Sequence, residues 1–177
     1  LRMLAGTEVN NDETRETYKF RTRYRLIHGD AGLYKCPDGS EIRAFEYENS
    51  LRETNTIKEE ELFYLRKIHF LIEMAWNLRV YKPLLELARL YEINPIEIFD
   101  KIIQYSKQTD DLNGSGEQFT RFFSDLDEFS HEEWFDSAES IETYFYKQEN
   151  FEKLINQRFD KLNILYTVIL LRDYKNT

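Results

Sequence analysis

Cysteine is nearly missing from this chain: Cys36 is the single one among 177 residues. A disulfide framework within the chain is therefore excluded, and so is a cluster held by cysteines of this chain alone. Glycine and proline are also scarce, at six and three residues. That scarcity speaks against a many-turned all-β fold and for helices. No apolar run reaches the ~18 residues that a membrane-spanning helix needs, and no secretory signal precedes the first motif. Together these point to a cytoplasmic setting. The first residue is Leu1 with no initiator Met, which fits a segment of a longer polypeptide.

Several chemistries lack their motifs as well. Neither GxGxxG nor GxxxxGK occurs, so no phosphate-cradling loop is indicated. There is no GxSxG nucleophile turn, and Glu-x-x-His occurs once, at Glu128–His131, where a di-iron helical bundle requires such a pair from each of two helices.

What the chain does hold is core material. Hydrophobic residues make up 41% of it, with 13 Phe and 12 Tyr, which is enough for a packed interior and against disorder throughout. The formal charge of −9 repels a phosphate backbone, so no nucleic-acid partner is expected. A local basic group, Lys19 with Arg21, Arg23 and Arg25, has the spacing of one strand face. On charge pattern it reads as a solvated face.

The character of the chain changes at residue 56. Residues 1–55 read as a mixed α/β arm. Asn11 can cap a short helix, Thr22–Ile27 has strand character, and Ser40–Glu48 alternates. Between them Pro37-Asp38-Gly39-Ser40 is a turn signal that predicts a hairpin, since Pro fixes φ and Gly supplies a positive one. Residues 56–177 read as a helical C-terminal domain, a bundle of five or six helices. Thr56-Ile57-Lys58-Glu59 predicts a capping box, opening a helix to about Asn77 that is apolar around most of its girth and so central and buried. Pro83 suits the first turn of a short helix, and Asn94-Pro95-Ile96-Glu97 is a strong helix start. A break is expected over 110–116. Phe119, Phe122, Phe123, Leu126 and Phe129 then recur at helical spacing. Ser130-His131-Glu132-Glu133 predicts another capped start, and a last helix is expected over about 149–174. Mainly α, with a small mixed arm in front, is the fold class expected.

No catalytic residue and no metal site can be assigned. His69 falls among apolar helical neighbours and reads as a hydrogen-bonded core residue, since Glu73 is the one acid at ligand spacing. His131 reads as exposed, and Cys36, beside a turn proline, as an ordinary thiol. The group that stands out is polar and close to glycines: Arg25, His28, Asp30 and Tyr34, followed by Glu46, Arg52, Glu53, Thr54 and Asn55. Polar residues gathered in loops beside a scaffold are where binding residues usually sit.

The same stretches carry a family resemblance. Leu1-Arg2-Met3-Leu4-Ala5-Gly6-Thr7-Glu8, Tyr24-Arg25-Leu26-Ile27-His28-Gly29-Asp30-Ala31-Gly32-Leu33-Tyr34, Ala44-Phe45-Glu46-Tyr47-Glu48, Arg52-Glu53-Thr54-Asn55-Thr56 and Tyr64-Leu65-Arg66-Lys67 follow one another in order. In order and spacing they resemble the segment just past the catalytic barrel of radical SAM iron–sulfur proteins, especially the type with an upstream cobalamin-binding domain. The resemblance covers about residues 1–95; residues 96–177 resemble no known family. It implies that the chain is a C-terminal region, not catalytic by itself, which packs on the upstream barrel of the same polypeptide and shapes its substrate side. The parent would carry a [4Fe-4S] cluster and S-adenosylmethionine, with cobalamin as a methyl carrier in the related type. The family's CxxxCxxC loop is not in this sequence, so no cluster ligand can be carried over. Thr7, Arg25, His28, Asp30, Glu46, Glu53 and Asn55 are the candidates for contact with cofactor or substrate. The alternative is an independent helical interaction module with no catalysis.

Overall fold

The computed structural model describes residues 1–107 and 115–156, without the side chains of His28, Asp30 and residues 115–119. Helices dominate and a small antiparallel sheet accompanies them: α1 (Asp12–Thr17), β1 (Arg21–Lys35), β2 (Glu41–Glu53), α2 (Glu59–Ile72), α3 (Lys82–Leu90), α4 (Pro95–Tyr105), α5 (Ser115–Glu132), α6 (Ala138–Phe145) and α7 (Gln148–Ile155). The described chain gathers into two compact units, one built from residues 1–59 and 131–156 and the other from 60–130.

In the first unit, β1 and β2 form the predicted hairpin. Its turn is fixed by Asp38, whose carboxylate accepts hydrogen bonds from the Ser40 amide (2.9 Å) and hydroxyl (2.6 Å). Gly39 takes φ +83°, a region that L side chains rarely enter. The sheet is extended at both edges by single bridges. Arg2 pairs with Ser50 beside β2, and Tyr24 of β1 pairs with Phe135. Two close backbone bonds make the second bridge, Tyr24 N–H to the Phe135 carbonyl at 2.8 Å and the reverse at 2.7 Å. One sheet face is apolar. Leu26, with Tyr24, Phe45, Tyr47 and Phe135, packs on Ile141 and Phe145 of α6 and on Phe151 and Leu154 of α7.

Strand β1 is irregular in its middle. Leu26 opposes Tyr47 and Ala31 opposes Phe45, so β1 takes five steps where β2 takes two. The surplus is an odd number of residues and reverses which parity of β1 faces the core. His28, Gly29 and Asp30 occupy this bulge.

The second unit buries Phe63, Ile68, Phe70 and Ala75 with Leu85, Ala88, Phe99, Ile103, Phe123 and Leu126. Asn94 caps α4 as its sequence predicts, its side chain accepting from the Ile96 amide at 3.0 Å with Pro95 in the first turn. Asn11 does the same for α1 through the Thr14 amide at 2.7 Å.

Four readings are corrected. The long helix starting near residue 56 is not buried all round: Leu65 is 51% exposed and His69 is exposed rather than a core histidine. It begins at Glu59, whose carboxylate binds Arg23 and Arg52, and its last turn, Glu73–Asn77, widens to a π-helix. Ser130 does not start a helix; its hydroxyl donates to the Leu126 carbonyl at 2.5 Å inside α5. The cap belongs instead to Ser137, which exchanges hydrogen bonds with Ser140. α5 ends at Glu132, shortly before Phe135 pairs its backbone with Tyr24 of β1, a distant contact that a local capping signal cannot report. The expected break at 110–116 lies mostly outside the described residues, as does the last helix beyond residue 156.

Trp76 is half-buried under the Lys82 ammonium, 5.3 Å from the ring centroid. Trp76→Ala should therefore cost less than Phe99→Ala, which removes a ring only 3% exposed and should cost about 3–5 kcal/mol. Urea midpoints of the two variants make the comparison; an equal shift would place Trp76 in the core.

Candidate functional site

Alternation places Arg21, Arg23 and Arg25 on the sheet face opposite the core, and the register sets Glu48 across from Arg25 and Ser50 across from Arg23. Arg52 has the same parity on β2. The edge bridges add Arg2 from one side and Trp134 with Asp136 from the other. Sequence segments far apart thus contribute to one polar layer.

Glu48 is its centre, with a side chain 5% exposed. One carboxylate oxygen accepts from Arg2 Nε at 2.5 Å. The other accepts from Arg25 Nε at 2.5 Å and from the Ser50 hydroxyl at 3.2 Å. Burial alone would raise its pKa. The bonds and charges of Arg25, and then of Arg2, outweigh that and hold it below the ordinary value of 4.5. Glu59 forms a second node, accepting from Arg52 Nε at 3.0 Å with Arg23 at 3.5 Å. Arg23 also donates to the Trp134 carbonyl at 3.0 Å and pairs with Asp136 at 3.0 Å. Glu133 faces Arg25 at 3.7 Å.

Between the nodes lies Trp134, 7% exposed. The Arg52 guanidinium is 4.1 Å from its ring centroid and that of Arg25 is 5.0 Å away. The negative face of the indole stabilises each cation, more so here because the groups are partly desolvated. The indole N–H is buried and has no hydrogen-bond acceptor among the described residues. Stacking, then, holds the ring.

This corrects the reading of the basic strand as solvated. Arg21 is 59% exposed, but Arg23 and Arg25 are only 19% and 28% exposed and spend their charge inside the unit.

The seven candidate residues are placed as follows. Arg25 belongs to the polar layer. Glu53 sits at the end of β2 between Lys58 (2.6 Å) and Arg21 (3.8 Å), which lower its carboxyl pKa, the Lys58 bond most of all. Glu46 is exposed on β2 with the parity of Glu48. His28 and Asp30 lie in the β1 bulge. Thr7 donates its hydroxyl to the Leu4 carbonyl at 2.7 Å, closing its own turn, and Asn55 gives its backbone N–H to the Tyr18 carbonyl at 2.8 Å. The residues that sequence reasoning passed over are Glu48, Glu59, Glu133 and Trp134. Glu48 carried a legible signal, the Glu48-x-Ser50-x-Arg52 alternation opposite Arg21-x-Arg23-x-Arg25. Trp134 carried none.

On the opposite face, the Tyr47 hydroxyl donates to Glu142 at 2.6 Å. That bond, then burial, then the Glu142 charge push the phenol up to about 12. Glu142→Gln should return its ionisation toward 10, the ordinary value, in an ultraviolet pH titration; an unchanged titration would show that the bond does not form.

The residues do not fit an iron–sulfur cluster. Such a cluster takes thiolates, and Cys36 stands alone at the hairpin turn. Among the described residues, no group of three His, Cys, Asp or Glu side chains could hold a metal ion. No helix among them is long and apolar enough to cross a membrane. The sequence matches no protein-family model and no curated protein.

Proposed function

We propose that this chain is a non-catalytic C-terminal region of a radical SAM enzyme, packing on the upstream barrel of the same polypeptide and shaping its substrate side. One observation supports this above the others. Arg2, Arg25, Glu48 and Arg52 come from four separate stretches of the family-like pattern and meet in one charge layer. Residues spread along the chain thus act as one structural unit, as expected of a scaffold that holds a surface in shape. The layer spends its charges on itself, which suits a scaffold better than a reaction centre. In this reading the parent is cytoplasmic and carries the [4Fe-4S] cluster and S-adenosylmethionine, with cobalamin in the related type. Residues 1–55, together with α6 and α7, serve as the arm that follows the barrel, and neither nucleic acid nor membrane is a partner. The bulge carrying His28 and Asp30, with Glu46 nearby in sequence register, is the part offered to the substrate side.

The test is made on the full-length polypeptide. Its sequence before Leu1 should contain cysteines spaced CxxxCxxC, and after anaerobic reconstitution it should cleave S-adenosylmethionine, whereas residues 1–177 alone should not. His28→Ala and Asp30→Ala should lower substrate turnover while cluster content and thermal stability stay normal. Loss of stability in step with activity would make the bulge a structural clamp. Absence of the upstream cysteines would overturn the enzyme reading altogether.

An independent helical interaction module is the second reading, favoured by a specific feature. Leu84, Leu87 and Leu90 on one side of α3, with Tyr91 just past its end, are all exposed, while Leu85 and Ala88 of the same helix are buried. An apolar stripe that a helix leaves outward is a common mark of a binding surface.

A further inference from the structure

We draw no further inference here: the strongest candidate, the exposed apolar face of α3 formed by Leu84, Leu87 and Leu90 with Tyr91 just past its end, carries nothing because nothing in the structure shows what covers it.

Discussion

Phe151→Ala lowers the stability of the first unit by about 4 kcal/mol, the largest effect expected of a single substitution in that unit. Phe151 is 2% exposed on α7 and packs in one cluster with Leu26, Ile141, Phe145 and Leu154. Its face also carries the Arg43 guanidinium, 5.6 Å from the ring centroid, which in turn donates to the Tyr146 carbonyl at 2.9 Å. Truncation loses the transfer free energy of the ring and leaves a cavity that two short helices on a two-stranded sheet can fill only in part. Phe151→Leu keeps most of the volume and should cost less than half as much. Urea denaturation followed by far-ultraviolet circular dichroism reads both. A Phe151→Ala midpoint within error of the parent chain would mean that α7 does not pack on the sheet.

Glu48→Ala should cost about 3 kcal/mol, because it strands the partly buried Arg25 without its closest counter-charge. The lower end of the usual range is expected, since Arg2 is half exposed and Arg25 keeps Glu133 and the indole face. Glu48 also governs a pH dependence. Its carboxyl ionises below 4.5 in the folded chain, so between that folded value and 4.5 the unfolded chain binds more protons. Its contribution is fully present above about 4.5 and is lost as pH falls through the folded value. Glu48→Gln should remove this part of the acid transition and free the amides at the outer edge of β2. Hydrogen exchange would show it at Leu51, whose N–H bonds the Leu1 carbonyl at 2.8 Å. An acid midpoint that is the same with Gln at this position would show that Glu48 is not held by its two arginines.

Local signals were legible where the physics is local. The Pro37–Ser40 turn, the Asn11 and Asn94 caps and the hairpin each depend on a few neighbouring residues, and each is found. Readings failed where a distant partner takes over a local group. Glu59 looked like the far half of a capping box and instead joins Arg23 and Arg52. Ser130 looked like a cap and lies inside α5. His69 looked internal from its neighbours' apolarity, yet the side of α2 that carries it is exposed. Of the candidate site, Arg25 and the His28–Asp30 segment were visible as polar residues beside glycines. That the segment is a bulge, which reverses the parity of β1, was not.

By itself, then, the sequence determined that helices dominate, that a strand-rich arm precedes them, and that a cluster cannot be held by one cysteine. Those follow from composition, from periods of two and 3.6 residues, and from ligand count. Only the tertiary structure decided that residues 131–156 return to the arm and join its compact unit. The reason is pairing between distant parts of the chain: Phe135 completes the edge of β1 through its backbone, and any residue except proline can do that without leaving a mark in the sequence. Once that edge is made, Trp134 falls between Arg25 and Arg52, and a basic strand with the look of a solvated face becomes a closed charge layer.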